Sequence, residues 1–258
     1  MTVVTSSQRG TPARNSASQA ARARAKEAVR IQLREIARRH IQERGTADLS
    51  LRAVARELDM TSSAIYRYVR SREELITSLV VESYEAVAEA AERADRLHAG
   101  AGADAAARWL GIARAIRTWA LLHPYEYTLI YGSPMGDVPS AAVGPPAARI
   151  WRVVAGLMST AVSTGVLHPH ARPFDVQGLV ADHVLVTLGR PAAPFDDFIV
   201  RGMALFSSLI GAISTELSGH FHGLTTDADR LFDLVVATGA QGVGLDLPVE
   251  VVDRFQLG

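Results

Sequence analysis

Cysteine is absent from the 258-residue sequence, and so is any long uninterrupted run of apolar residues. Without cysteine the chain can form no disulfide framework, thiolate metal site or cysteine nucleophile, and such a composition is typical of the reducing cytosol. The N-terminal stretch lacks the apolar core of a signal peptide, and no segment approaches the roughly 20 uninterrupted apolar residues of a membrane span. We therefore expect a cytoplasmic protein with no membrane partner.

Common catalytic motifs are missing as well. The sequence has no His-Glu-x-x-His metal motif, no Gly-x-Ser-x-Gly nucleophile elbow and no glycine-rich phosphate loop. We therefore expect a protein that is not an enzyme and that needs neither a cofactor nor a metal ion. An enzyme whose active site lies in the histidine-bearing C-terminal part is the alternative.

Charge is present in balance but is distributed unevenly. Residues 1–72 hold 15 Arg and Lys against 6 Asp and Glu, whereas residues 73–258 hold 12 against 21, and the net charge is zero. A basic segment joined to an acidic remainder suggests one part that contacts a polyanion and one part that does not. A solvated basic helix is the alternative interpretation of the charge alone.

Apolar residues make up 48% of the chain and recur at helical spacing, with no alternating strand pattern. We therefore expect an all-α fold. Residues 1–23, rich in small polar residues and arginine, predict a disordered basic arm, and the prolines and glycines of 132–146 predict a loop. The predicted helices cover 24–44, 51–58, a very short stretch within 61–70, 71–97, 109–119, 149–166, 174–189, 195–219 and 227–238.

Residues 50–70 have the pattern of a helix-turn-helix, in which one short helix braces a second that lies in the major groove of DNA. Ser50 is positioned to cap the first helix, and Thr61 or Ser62 the second. Ser71, followed three residues later by Glu74, has the signature of a capping box that opens a long helix. The polar residues left for bases or phosphates are Arg52, Ser62, Ser63, Arg67 and Tyr68.

This segment resembles the DNA-binding domain of the TetR family of bacterial transcription regulators. The resemblance lies in Ile65, Tyr66, Tyr68, Val69, Arg72 and Leu75. It implies phosphate contacts by Ser50, Thr61, Tyr66 and Arg72. It implies contacts with base edges or the groove by Arg52, Ser62, Ser63, Arg67 and Tyr68. Asp59 stands where the family usually has a turn glycine, and aspartate tolerates the left-handed conformation better than most residues do.

The chain thus divides into the arm over 1–23, a helix-turn-helix domain over 24–71 and a helical ligand-binding and dimerisation domain over 72–258, linked by the long helix. The stretch HPYEYTLIYGSP and the tryptophans before it resemble a TetR subgroup whose C-terminal domain carries a Trp, His and Gly signature. An effector site needs a largely apolar cavity with a few polar groups, although ordinary core packing is the alternative for each candidate. The candidates are Trp119, His123, Tyr127, Tyr131, Trp151, Asp182 and His183.

Together these features predict a sequence-specific transcriptional regulator, a repressor that a small, largely apolar ligand releases from its double-stranded DNA operator. An activator, a ligand-independent regulator and a nonspecific DNA-coating protein are the alternatives. A homodimer is expected because two related motifs read half-sites about one helical turn apart. The predicted helices over 174–189 and 195–219 are apolar on more than one side, which predicts a four-helix dimer interface.

Overall fold

The computed structural model describes residues 12–132, 140–169, 175–176, 178–182, 184 and 197–247. The chain divides into two compact units, an N-terminal unit over Met1–Leu79 and a C-terminal unit over Val80–Gly258. The helix predicted over 174–189 lies for the most part outside the described residues, and so does the candidate ligand residue His183.

Eight helices make up the regular structure of the described residues, together with two single helical turns and one isolated bridge between Leu167 and Leu245. The all-α prediction is therefore confirmed. The single turns are a 3-10 turn at Ile65–Arg67 and a π-helical turn at Thr128–Gly132. The helices are α1 (Pro12–Arg44), α2 (Leu51–Glu57), α3 (Arg72–Gly100), α4 (Ala105–Leu122), α5 (Pro124–Tyr127), α6 (Ser140–Ser163), α7 (Phe198–Leu217) and α8 (Ala228–Gly242).

Helix α1 begins at Pro12, well before the start predicted at residue 24. Residues 12–23 are therefore helical, which corrects that part of the predicted disordered arm, while residues 1–11 lie outside the described residues. The reason is local, because Pro12 presets the backbone of a first helical turn and the alanines and arginines that follow are strong helix formers. Gly45, at φ +80°, ends the helix, and its N–H donates to the Ile41 carbonyl at 2.8 Å.

The N-terminal unit has a small apolar core to which α1, α2, the 3-10 turn and α3 all contribute. A polar contact reinforces the packing of α1 on α2, because the buried His40 pairs with Glu57 and Arg39 pairs with the same carboxylate. This contact holds α2 against α1 and so positions the segment that follows α2. The core residues that are at most 2% exposed are Leu33, Ala37, Val54, Ala55, Ile65, Leu75 and Leu79.

Ser71 caps α3, as the sequence predicts, while the carboxylate of Glu74 bonds one residue farther back than a capping box requires. The N–H of Glu74 donates to the Ser71 hydroxyl at 3.1 Å, and the Glu74 carboxylate accepts the N–H of Arg70 at 2.6 Å. These bonds satisfy backbone donors that a helix start leaves without partners. Leu75 and Leu79 then bury the first turns of α3.

Helix α4 lies at the centre of the C-terminal unit and packs against α6, α7 and α8. Its buried face carries Trp109, Ile112 and Ile116, each 1% exposed, at the helical spacing that the sequence shows. Arg117 extends the packing with polar contacts, since its guanidinium pairs with Glu216 of α7 and with Asp229 of α8. Both neighbouring helices are thereby tied to α4.

Helix α6 begins inside the stretch that the sequence predicts as a loop, and it contains Pro145 and Pro146. The loop prediction is therefore wrong for residues 140–146, while 133–139 lie outside the described residues. Each proline removes a backbone donor from the helix. Burial offsets this loss, because Val143 and Ile150 share one face two turns apart and are 3% and 2% exposed.

Helix α7 has a buried face and an exposed one. Phe206 and Ile213 are buried, whereas Met203 is 47% exposed and Ser207 and Gly211 are exposed as well. Among the described residues this is the one helix whose length and composition would allow it to cross a membrane, with a mean hydropathy of 1.6, and half of that stretch is buried in the fold. Met203 is an apolar residue on the exposed face, and the dimer interface predicted for this helix stays a prediction.

Candidate functional site

The turn after α2 is tight and contains a residue in a rare backbone conformation. Met60 donates its N–H to the Ala55 carbonyl at 2.9 Å, and Asp59 has a φ of 52°. Asp59 therefore adopts the left-handed conformation expected where the TetR pattern usually has glycine, and its short polar side chain tolerates that conformation better than most. The chain reverses here and enters the recognition turn, the name we use for residues 61–69.

The recognition turn is anchored on one side and exposed on the other. The hydroxyl of Thr61, rather than that of Ser62, accepts the N–H of Ala64 at 3.3 Å and caps the segment. Ile65 and Val69 are 0% and 6% exposed and fasten the turn to the core. Because the helical part is a single 3-10 turn, the second helix of the motif is as short as predicted.

Seven of the nine side chains predicted to contact DNA are exposed on α2, at its start or on the recognition turn. Tyr66 is 56% exposed, so much of this large aromatic side chain lies outside the core of the unit. Ser50 occupies the N-cap position of α2, but its side chain makes no capping hydrogen bond, so that part of the prediction is wrong. The seven are Ser50, Arg52, Thr61, Ser62, Ser63, Tyr66 and Arg67.

The other two predicted DNA residues, Tyr68 and Arg72, are half-buried. Arg72 braces the loop between α1 and α2, because its Nε donates to the Leu49 carbonyl at 3.1 Å and its Nη2 to the Ala47 carbonyl at 3.3 Å and to the Thr46 carbonyl. The resemblance implies that Arg72 contacts phosphate, and the sequence contains no signal of this bracing role. A guanidinium with several donors in one plane is well suited to hold consecutive carbonyls.

Three of the predicted ligand residues lie in one group of aromatic rings in the C-terminal unit. The ring centroids of Tyr127 and Tyr131 are 5.1 Å apart, and Phe206 lies 6.2 Å from Tyr131 and 5.0 Å from Trp151. Tyr84 of α3 completes the group at 6.0 Å from Tyr131. We call these five residues the aromatic cluster. Sequence reasoning missed Tyr84 and Phe206 as members of this cluster, since periodicity shows that a residue is buried but not which helix it meets.

Tyr131 has the most unusual environment of the cluster. It lies in the π-helical turn, a distortion frequent at functional sites, and its buried hydroxyl has no hydrogen-bond partner within the described part of the chain. Burial is the main cause that raises the pKa of Tyr131. The Tyr127 hydroxyl, by contrast, is engaged at 2.8 Å with both the Ile210 carbonyl and the Ser214 hydroxyl.

Trp119 and His123 form a separate pair, with ring centroids 5.9 Å apart. Trp119 is 8% exposed, whereas His123 is exposed and ends α4, its N–H donating to the Trp119 carbonyl at 2.8 Å. No ring contact among the described residues joins this pair to the aromatic cluster. Asp182 is exposed, and His183 is outside the described residues.

Both parts of the chain match models of known protein families. Residues 33–79 match the model of bacterial regulatory proteins of the tetR family, and residues 109–238 match the tetracyclin repressor-like C-terminal domain. HTH-type transcriptional regulators of Mycobacterium bovis and Mycobacterium tuberculosis are each 35% identical over 202 residues, 76% of this chain and 84% of theirs. The chain belongs to the TetR family.

Solved structures of similar fold extend over most of this TetR-family chain. The crystal structure of the regulatory protein SCO4313 is 30% identical with a TM-score of 0.64, covering 84% of this chain and 98% of that one. RolR in complex with resorcinol is 19% identical with a TM-score of 0.51, covering 92% and 97%, a likeness of fold. The protein is therefore a DNA-binding transcriptional regulator, as predicted.

The two matched segments contain the predicted DNA-contacting segment and most of the aromatic cluster. The first segment contains α2 and the recognition turn, and the second contains Tyr127, Tyr131, Trp151 and Phe206 of the aromatic cluster. The Trp, His and Gly subgroup is not confirmed by the C-terminal match and stays a prediction.

Proposed function

We propose that this TetR-family regulator is a repressor, released from its double-stranded DNA operator when a small, largely apolar molecule binds in the C-terminal unit. The observation that supports this best is the buried Tyr131 hydroxyl, which has no partner among the described residues. An unpaired buried donor costs about 1–3 kcal/mol, and a bound molecule that accepts its hydrogen removes that cost. The effector therefore carries at least one hydrogen-bond acceptor.

The aromatic cluster indicates the chemical class of the effector. Rings with centroids 5–6 Å apart favour edge and offset contacts with a further flat ring. Trp109 Nε1 in the same unit is also buried without a partner in the described part of the chain. Because burial raises the pKa of Tyr131, its hydroxyl remains protonated at neutral pH and donates. The effector we propose is an aromatic molecule with one or two acceptor oxygens.

Helix α3 carries the signal to the DNA-binding part. The Tyr84 hydroxyl donates to the Ile130 carbonyl at 3.3 Å, which ties α3 to the backbone next to Tyr131. The same helix begins at Arg72, whose guanidinium braces the loop before α2. A ligand that moves the backbone at 130–131 therefore changes the relative populations of two arrangements of α3.

The protein acts on DNA as a homodimer in the cytoplasm and has no catalytic activity. Phosphates are contacted by Ser50, Thr61 and Tyr66, while Arg72 acts through the loop it braces. Bases or the groove are contacted by Arg52, Ser62, Ser63, Arg67 and Tyr68. The exposed face of α7 around Met203, Ser207 and Gly211 forms part of the dimer interface, since burying it removes apolar surface from water.

The proposal is tested in two steps with the purified full chain. Fragments that the protein binds are first selected from a genomic DNA pool at fixed salt, and the selected duplex should bind at least about 10³-fold more tightly than random DNA. Aromatic compounds with acceptor oxygens are then screened for release of that duplex. For a compound that releases it, Tyr131→Phe should weaken compound binding by about 5- to 10-fold, the loss of one hydrogen bond.

Tyr127→Phe is the matched control, because its hydroxyl is already engaged within the protein. It should lower stability while changing compound affinity less than Tyr131→Phe does. Equal affinity for all duplexes would show a DNA-coating protein, and binding without release by any compound would show a ligand-independent regulator. Increased transcription from the bound promoter would show an activator, and turnover of a screened compound would show an enzyme.

A further inference from the structure

A groove of about 360 Å³ lies between the N-terminal part of α1 and the recognition turn. On the α1 side its wall is formed by Arg22, Lys26 and Val29, which share one face of the helix at helical spacing. On the other side it is formed by Arg67 and Tyr68. We call this surface, lined by Arg22, Ala25, Lys26, Val29, Arg67 and Tyr68, the basic groove.

The charged residues of the basic groove are all cations. Among the described residues, none forms an ion pair with Arg22, Lys26 or Arg67. The next cations of α1 share an ion-pair partner instead, since Arg30 and Arg34 lie 3.6 Å and 3.1 Å from Glu27 carboxylate oxygens. Three unneutralised cations around one groove create a local positive potential that attracts an anion.

We propose that the basic groove binds the phosphodiester backbone of the operator, beside the bases that the recognition turn contacts. This inference rests on the proposed DNA contacts of the recognition turn. Arg67 belongs to both surfaces, so a strand whose bases Arg67 contacts brings its neighbouring phosphates towards Arg22 and Lys26. The half-buried Tyr68 lines the groove here together with the apolar side chains of Ala25 and Val29.

The groove depends on a part of α1 that precedes the residues matched to the family model. The match to the tetR-family model begins at residue 33, whereas Arg22 and Lys26 precede it. Because residues 12–32 are helical, these cations are held at fixed positions, and less conformational entropy is lost on binding than a flexible arm would lose. The N-terminal part of α1 therefore adds contacts to the DNA backbone, and each such contact strengthens binding by releasing counterions from the DNA.

The test compares single alanine variants of the full chain on the duplex selected from genomic DNA and on a random duplex. Arg22→Ala and Lys26→Ala should each reduce the slope of log affinity against log salt by about 0.9, the value for one phosphate contact. Both should weaken the two duplexes alike, because phosphates carry no sequence information. Arg24→Ala is the matched control, since it removes one cation from the same helix outside the groove lining.

Hydroxyl-radical footprinting supplies a local readout. Lys26→Ala should lose protection of backbone positions next to the bound bases, and Lys26→Arg should restore it. Lys26→Ala and Arg24→Ala could give equal salt slopes and equal footprints, with the helical content measured by circular dichroism unchanged. That result would overturn the assignment of the groove but would leave the proposed regulatory function unaffected. If the unaltered protein does not prefer its selected duplex, the proposed function fails, and this inference fails with it.

Discussion

The buried ring of His40 in α1 donates a hydrogen bond to the carboxylate of Glu57 in α2, with Nε2 2.9 Å from Oε1. This bond is the largest of the effects that lower the pKa of Glu57, and Arg39 adds to it. The folded chain therefore binds a proton at Glu57 less readily than the unfolded chain does. The stabilisation is present above the ordinary carboxylate pKa and is lost as pH falls through the lower folded-state value.

Glu57→Gln should therefore destabilise the protein near neutral pH, with the difference shrinking as the solution is acidified below about pH 4. Urea unfolding of both proteins, followed by circular dichroism between pH 3 and 7, measures this difference. Glu43→Gln, which alters an exposed carboxylate of α1, is the control. Parallel pH curves for Glu57→Gln and the unaltered protein would show that the pair contributes nothing to the coupling of α1 and α2.

Arg72→Ala should loosen the loop before α2. The substitution leaves the carbonyls of Ala47 and Leu49 without their guanidinium donor, and hydrogen bonds to a charged group contribute about 1.5–3 kcal/mol when well formed. We expect faster amide hydrogen exchange in residues 46–51 and weaker binding to all DNA sequences alike. Arg70→Ala removes an exposed cation two residues away and should leave the exchange rates unchanged. Unchanged exchange in Arg72→Ala would mean that the brace does not order the loop.

Gly111→Ala should destabilise the C-terminal unit because the ring of His98 lies directly over this position of α4. A β-carbon at Gly111 would lie 2.2 Å from two ring atoms of His98, so the ring or the helix must move. Overpacking of this kind costs about 1–3 kcal/mol. Thermal unfolding should show a lower midpoint for Gly111→Ala, and adding His98→Ala should recover part of the loss.

Gly156→Ala provides the contrast to Gly111→Ala, since it is also an interior helical glycine but has nothing within 4 Å of an added β-carbon. Alanine should stabilise the helix there by about 0.5–1 kcal/mol through its lower backbone entropy. Equal effects of the two glycine substitutions would show that His98 does not constrain α4.

Exposed residues of the helix-turn-helix should separate into two classes by their effect on sequence preference. Arg52→Ala and Arg67→Ala should each relax preference at particular base pairs and cost about 1–3 kcal/mol on the selected duplex. Tyr66→Phe removes one hydroxyl and should weaken binding to all duplexes by a similar small factor. Competition binding against single-substituted duplexes at fixed salt measures both. A uniform loss from all three substitutions would show that the arginines are not base readers.

The short-range features could be predicted from the sequence because they depend on neighbouring residues. The left-handed Asp59, the Ser71 cap of α3, and the buried face of α4 follow from side-chain chemistry within a few residues. The same local reasoning failed where burial in the tertiary structure outweighs a local signal. At α6 the prolines argued against a helix, but burial of Val143 and other apolar residues outweighed two lost hydrogen bonds.

By itself, the sequence determined an all-α chain with a helix-turn-helix, since helical periodicity and turn chemistry are local properties. Only the tertiary structure decided which distant side chains meet. It made Arg72 a brace for the loop before α2 and placed Lys26 in a groove beside Arg67. It also buried the Tyr131 hydroxyl without a partner among the described residues. The physical reason is that burial and ion pairing depend on contacts between segments far apart in the chain, which no local pattern specifies.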